Sequence, residues 1–219
     1  MDRYSEITNK NQREIVLLKA FPCVWGKCSF CDYILDNSNF EDEINKLNFE
    51  VLEVINSGSY FELPKATLAK IKEIIKEKKI EKLFLESHWA YKNRIQEMRD
   101  YFEIPIIFKI GVETFDYDFR NGYLNKNAKF KTVEELKEYF DSPCIMVGIK
   151  GQTREMIDRD MDIVLNNFDH ATINVFVNNT SSVKRDEELV NWFSNKYKHL
   201  VDNPKIEILF NNTDFGVGD

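Results

Sequence analysis

The stretch "FPCVWGKCSFCDY", residues 21 to 33, holds three of the chain's four cysteines within nine positions, interleaved with Trp25, Phe30 and Tyr33. Thiolates are soft ligands, and three of them this close in sequence point to a metal or to redox chemistry. Cys23, Cys28 and Cys31 have the spacing C-x4-C-x2-C. A structural zinc site wants four protein ligands, and here the fourth would have to come from the distant Cys144, His88, His170 or His199. An iron–sulfur cluster held by three cysteines instead leaves one iron open, and an open iron implies chemistry. Three thiols set among glycine and polar residues do not read as core filling.

With 219 residues and 43% hydrophobic content, the chain can bury one sizeable core, and residues 1–219 read as a single domain. Thirty basic against thirty-seven acidic residues give a net charge of -7. That balance disfavours a broad phosphate-binding surface, so a small molecule is expected as partner rather than nucleic acid. No apolar run approaches the roughly 20 residues that span a bilayer, and "MDRYSEITNKNQRE" is unlike a signal peptide. The expected setting is the reducing cytoplasm, where clustered cysteines serve as ligands more often than as disulfides.

Apolar runs of strand length alternate with amphipathic segments, the pattern of an α/β domain with a parallel sheet. The expected strands are "EIVLLKAF" (14–21), "FEVLEVI" (49–55), "KLFLE" (82–86), "IIFKIG" (106–111), "CIMVG" (144–148), "ATINVFV" (171–177) and "IEILF" (206–210). Helical stripes are Leu68, Ile71 and Ile75; Val133, Leu136 and Phe140; Ile157, Met161, Val164 and Phe168; and Leu189, Phe193 and Tyr197. Ligands of such folds bind at the carboxyl ends of the strands. Those ends are chemically marked here: the cysteines, then "NSGSY", "SHW", "GVET", "GIKGQT" and "NNT".

These features together resemble the radical S-adenosylmethionine (AdoMet) superfamily. The likeness rests on three cysteines after the first strand with an aromatic, Phe30, just before the last. It also rests on "SGSYF" after the second strand, "GVETFD" after the fourth and "VGIKGQT" after the fifth. The first cysteine gap is one residue longer than the family's usual C-x3-C-x2-C. Within the superfamily, "NSGSYF", "FLESH" and "IGVETFDYDFRNGYLNK" most resemble the branch containing the Elongator catalytic subunit, whose relatives carry additional domains for which this length leaves no room.

The resemblance implies a partial (β/α)6 TIM-like barrel, a [4Fe-4S] cluster on Cys23, Cys28 and Cys31, and AdoMet as cofactor. It implies that Phe30 packs near the adenine, that Asn56, Ser57 and Gly58 meet the methionyl amino group, that Glu113 takes the ribose hydroxyls, and that Arg120 or Lys126 meets the carboxylate. An electron donor such as flavodoxin or ferredoxin follows from the chemistry. A stripped-down, acidic relative suggests a lyase that cleaves a C–N bond in a free 7-deazaguanine base. The alternatives are modification of a tRNA nucleoside or another metabolite, and a zinc-stabilised binding protein. Polar groups placed around the rim to read the substrate are Glu62, Glu86, His88, Asp116, Asn178 and Asp214, since a carboxylate accepts from a guanine-like N–H edge. Trp25, Trp89 and Phe115 are candidates to stack on a heterocycle, and Cys144 reads as core.

Overall fold

The computed structural model describes residues 4–18, 20–32, 49–56 and 58–210. Among these lie eight strands: β1 (Tyr4–Ile7), β2 (Arg13–Leu17), β3 (Val51–Ile55), β4 (Lys82–Glu86), β5 (Ile106–Glu113), β6 (Ser142–Val147), β7 (Ala171–Val175) and β8 (Ile206–Leu209). The α-helices are α1 (Lys65–Lys78), α2 (Ile95–Phe102), α3 (Val133–Lys137), α4 (Arg154–Asn167) and α5 (Glu187–Tyr197). The chain divides into two compact units, one of Met1–Gly26 with Tyr33–Lys109 and one of Lys27–Asp32 with Ile110–Asp219. Cys23 therefore belongs to the first unit, and Cys28 and Cys31 to the second.

In the first unit β2, β3, β4 and the start of β5 run parallel, with Val16 opposite Val54, Leu52 opposite Leu83 and Leu85 opposite Phe108. Because strand side chains alternate, these six share one face, and all are buried. Arg99 of α2 stacks on Phe108, its guanidinium 4.6 Å from the ring centroid, so that face is the helix-covered one. β1 was not expected. It pairs antiparallel with β2, Tyr4 opposite Val16, and its sequence YSEI has too little apolar character to announce a strand. α2 was also missed, its stripe of Ile95, Met98 and Phe102 being short.

The opposite face of the first unit carries charge. Arg13 Nε lies 2.6 Å from Glu53 Oε2, and Lys109 Nζ lies 2.5 Å from Glu53 Oε1. All three are buried, and the Arg13 guanidinium also sits 4.8 Å from the Phe84 ring centroid. Two cations share one carboxylate, one on each oxygen.

In the second unit β7 lies between β6 and β8, parallel to both, with Cys144 opposite Thr172, Met146 opposite Asn174 and Thr172 opposite Glu207. Ile145, Val147, Ile173 and Val175 are fully buried, as are Ile157, Met161 and Val164 of α4 and Phe193 of α5, the two helices that lie against β6. Cys144 is core, as its apolar neighbours imply.

Removing Glu53 takes the shared carboxylate from two buried cations, so Glu53→Ala is expected to cost about 3 to 5 kcal/mol of stability. Urea unfolding of the two proteins checks this, and a loss below about 1 kcal/mol would show that the triad is not the buried network described.

Candidate functional site

In the first unit the cysteine loop is fastened by one carboxylate. Glu62 closes a 3-10 turn, Tyr60–Glu62, in which its Oε2 accepts the backbone N–H of Ser59 and its own N–H donates to Ser59 O at 2.8 Å. Its Oε1 accepts the N–H of Val24 at 2.6 Å and the hydroxyl of Tyr91 at 3.2 Å, while its carbonyl accepts from Phe21 N at 2.8 Å. Burial pushes the Glu62 carboxyl upward against these three donors, which pull it down. Glu62 thus holds the backbone beside Cys23. Gly58 is required at the same place, because a Cβ there would come within 3.0 Å of Cys23 Cα and Cβ and would run into the Glu62 carboxylate.

Asn56 ends the same strand-to-turn segment. Its Nδ2 donates to Ser59 O at 3.0 Å, and its buried Oδ1 has no hydrogen-bond partner. Ser57 and Asp214 lie outside the described residues. His88 caps the 3-10 segment Trp89–Arg94: its Nδ1 accepts from Ala90 N at 3.2 Å and its own N–H donates to Ser59 Oγ at 2.8 Å. These contacts give His88 a structural task. Glu86 ends β4 half-buried and in register with Lys109. Trp89 is buried beneath Lys92, and Trp25 is half-buried.

In the second unit residues 27–32 have no regular structure of their own and are held by two other loops. Ser29 donates through its N–H to Leu124 O at 3.0 Å and through Oγ to Tyr123 O at 2.8 Å, and Asn125 Nδ2 donates to Lys27 O at 2.7 Å. From the loop after β7, Asn179 Nδ2 donates to Phe30 O at 2.8 Å and Thr180 Oγ1 donates to Asp32 Oδ2 at 3.0 Å. Phe30 is buried with Leu124, Met146, Ile149, Phe176 and Val183, and Cys28 and Cys31 rest against that cluster. The three cysteines are half-buried, reduced thiols. These anchoring roles of Ser29, Asn125, Asn179 and Thr180 were not assigned from the sequence, since polar loop residues carry no period. The "NNT" after the sixth expected strand was their one visible sign.

Glu113 is buried, and its backbone is left-handed, with φ of 65°. A residue with a Cβ adopts that conformation only when its surroundings impose it, and such strain concentrates at working sites. Lys126 Nζ donates to Glu113 Oε1 at 2.6 Å and lies 5.5 Å from the Phe30 ring centroid. Arg120 makes its bonds within the same segment. Only 1% exposed, it donates to Ala128 O at 2.9 Å, Thr114 O at 2.8 Å and Phe130 O at 2.7 Å, with its guanidinium 3.8 Å from the Phe130 centroid. Burial lowers its pKa to about 10. It fastens the 114–130 segment and so positions Lys126. Asp116 likewise accepts from Phe119 N at 2.9 Å and from Arg159 Nη2 at 2.9 Å, contacts that hold its carboxyl below the usual range. Asn178 is exposed and accepts from Arg185 N at 2.9 Å. Phe115 is half-buried and packs edge-on against Phe130, the ring centroids 6.0 Å apart.

Among the described residues, no three of His, Cys, Asp and Glu converge in the way a single metal ion requires. A [4Fe-4S] cluster makes a different demand, one thiolate for each of three irons. Cys23, Cys28 and Cys31 offer three such thiols within nine positions of the sequence; within the first unit the buried Oδ1 of Asn56, without a hydrogen-bond partner, has the chemistry to suit an ammonium, and within the second the buried Glu113 carboxylate has the chemistry to suit a diol.

No protein-family model matches the chain. Its strand-and-helix alternation and three-cysteine loop are those of an α/β partial (β/α)6 TIM-like barrel, and they place it among the radical AdoMet enzymes. A solved structure of queuine lyase from Clostridium spiroforme bound to SAM and queuine is 53% identical, with a TM-score of 0.94 covering 100% of both chains. The chain belongs to the queuine lyase family. The crystal structure of Streptococcus suis SuiB shares the fold alone, at 13% identity and a TM-score of 0.54 over 89% of this chain and 48% of that one. An uncharacterized protein of Methanocaldococcus jannaschii, MJ0550, is 22% identical over 155 residues, 57% of this chain. The chain matches 42% of that curated relative's length.

Asp160, which sequence reading did not single out, supports the turn after Glu113 by accepting from Phe115 N at 2.8 Å. It is 0% exposed, and burial raises its pKa to about 6, against the usual 3.8. The folded chain therefore binds this proton more tightly than the unfolded one. The stabilisation is fully present below about pH 4 and is lost as pH rises through about 6, with a total of order 2 to 3 kcal/mol. Asp160→Asn keeps the acceptor and removes the charge, so it is expected to raise Tm at pH 7.5 and to change it little at pH 4. Thermal scans at the two pH values check this, and equal shifts at both would contradict the assigned cause.

Proposed function

We propose that this chain is a queuine lyase, cleaving the C–N bond between the cyclopentenediol and the aminomethyl deazaguanine of the free base and releasing 7-aminomethyl-7-deazaguanine. The observation that carries the proposal is the end-to-end likeness, at 53% identity, to a queuine lyase bound to SAM and queuine. A [4Fe-4S] cluster and AdoMet, when bound, supply a 5′-deoxyadenosyl radical able to take hydrogen from unactivated carbon. The chain's own residues bind, orient and exclude water.

Cys23, Cys28 and Cys31 hold the cluster. The buried, unpartnered Oδ1 of Asn56 supports a contact with the methionyl amino group, where Ser57 and Gly58 lie beside it in sequence. Glu113 accepts from the ribose hydroxyls, oriented by Lys126, and Phe30 offers its ring to the adenine. Residues 1–219 act as one radical AdoMet domain. The electron comes from a reduced flavodoxin or ferredoxin in the cytoplasm, the reducing compartment in which clustered thiols serve as ligands. A net charge of -7 supports a free base over tRNA as substrate.

Reconstituted protein incubated anaerobically with AdoMet, reductant and queuine is expected to yield 7-aminomethyl-7-deazaguanine and 5′-deoxyadenosine by mass spectrometry. Formation of 5′-deoxyadenosine with queuine unchanged, or turnover of queuosine-containing tRNA in preference to the base, would reject the reading. Each of Cys23→Ala, Cys28→Ala and Cys31→Ala should abolish both products, whereas Cys144→Ala should retain them. Glu113→Ala is expected to weaken AdoMet binding about ten- to a hundredfold, a loss of roughly 1.5 to 3 kcal/mol, with iron content unchanged. Equilibrium binding checks the first quantity and iron analysis the second.

A further inference from the structure

On β7 the alternation of side chains sends Ile173 and Val175 to the helix-covered face and Thr172 and Asn174 to the other. Thr172 is 3% exposed, and its Oγ1 has no hydrogen-bond partner; the buried Oδ1 of Asn174 has none either. Two such atoms on one short strand are unusual, because buried polar groups are nearly always satisfied. Their neighbours in register offer little. On β6 these are Cys144 and Met146, a thiol and a thioether. On β8 they are Glu207, whose Oε1 lies 3.2 Å from His170 Nε2, and Leu209. His170 is in turn bonded through Nδ1 to Ser142 Oγ at 2.6 Å.

The same face continues to the cysteine loop. Phe176, two residues beyond Asn174, packs in the cluster that holds Phe30, against which Cys28 and Cys31 rest, and Met146 joins both regions. Two residues of strand advance about 7 Å, so Asn174 stands roughly one side-chain layer from the aromatic floor of that loop. A ligand lying along this face would meet an amide oxygen and a hydroxyl at one end and the radical-generating end of the chain at the other.

We propose that Asn174 and Thr172 are the specificity-determining residues for the base of the substrate, an assignment that rests on the lyase reading above. The edge of a guanine-like base offers N–H donors beside a carbonyl acceptor, and a carboxamide complements it, Oδ1 accepting an N–H while Nδ2 donates to the carbonyl. The Thr172 hydroxyl bonds next to it. Recognition of this kind discriminates strongly, since an analogue lacking the donors leaves buried protein groups unpaired. The other end of queuine, its diol, offers O–H donors, and the experiment separates the two.

The variants are Thr172→Val and Asn174→Leu, each close in volume and apolar, made in the reconstituted holoenzyme. A residue whose polar atom serves a ligand rather than the fold is stabilised or unaffected by such a change. Tm and AdoMet affinity are therefore expected to hold or, for Tm, to rise, while KM for queuine increases at least tenfold. Inhibition by 7-aminomethyl-7-deazaguanine, which keeps the base and lacks the diol, should weaken by the same factor. A fall in Tm with KM unchanged would overturn the proposal by making both residues structural. Weakened queuine binding with unaltered inhibition by the product would overturn it in favour of the diol. Wild-type enzyme that leaves queuine intact would remove the lyase reading itself, a result visible before any variant is made.

Discussion

A loop that must present three thiolates cannot be stabilised by regular backbone hydrogen bonding, so its shape depends on side chains borrowed from elsewhere. In the first unit that dependence falls on Glu62, whose two oxygens collect the N–H groups of Val24 and Ser59 and the hydroxyl of Tyr91. In the second it is spread over Ser29, Asn125, Asn179 and Thr180. The strand ends matter to function chiefly because they deliver these groups. Arg120 extends the logic by one step, spending its donors on three carbonyls so that the segment bearing Lys126 holds its course beside Glu113.

Both units use their strands asymmetrically. One face is aliphatic and meets helices, which supplies cohesion without direction. The other carries groups that bond only in particular geometries: the Arg13–Glu53–Lys109 triad in the first unit, and Ser142, His170, Thr172, Asn174 and Glu207 in the second. Burying such groups is unfavourable unless each finds a partner. Most have one within the chain.

Seven of the eight strands among the described residues were legible in the sequence, because those signals are local. KLFLE is observed at the expected limits, and the four helical stripes fall on α1, α3, α4 and α5. β1 was invisible because an edge strand of alternating polar residues owes its existence to β2. Glu62 and Arg120 show a limit of reading sequence alone: a charged residue in a polar stretch looks available to a ligand, and only tertiary structure reveals the hydrogen bonds that it already makes. Thr172 and Asn174 were hidden in the opposite way, inside "ATINV", a run apolar enough to be passed over as core. Glu113 was placed correctly on a strand end, yet its left-handed backbone could not be foreseen from residue type.

The contrast between Cys144 and the other three cysteines has a practical side. Cys144 is 6% exposed in β6, while Cys23, Cys28 and Cys31 are half-buried in a loop. Thiol reagents applied to the folded, iron-free chain would therefore count three sulfurs quickly and the fourth only after unfolding. Iron occupancy would suppress the first count and leave the last intact. The chain carries its own internal standard, and the fraction of protein bearing a cluster can be read by alkylation and mass spectrometry without reference to colour or catalysis.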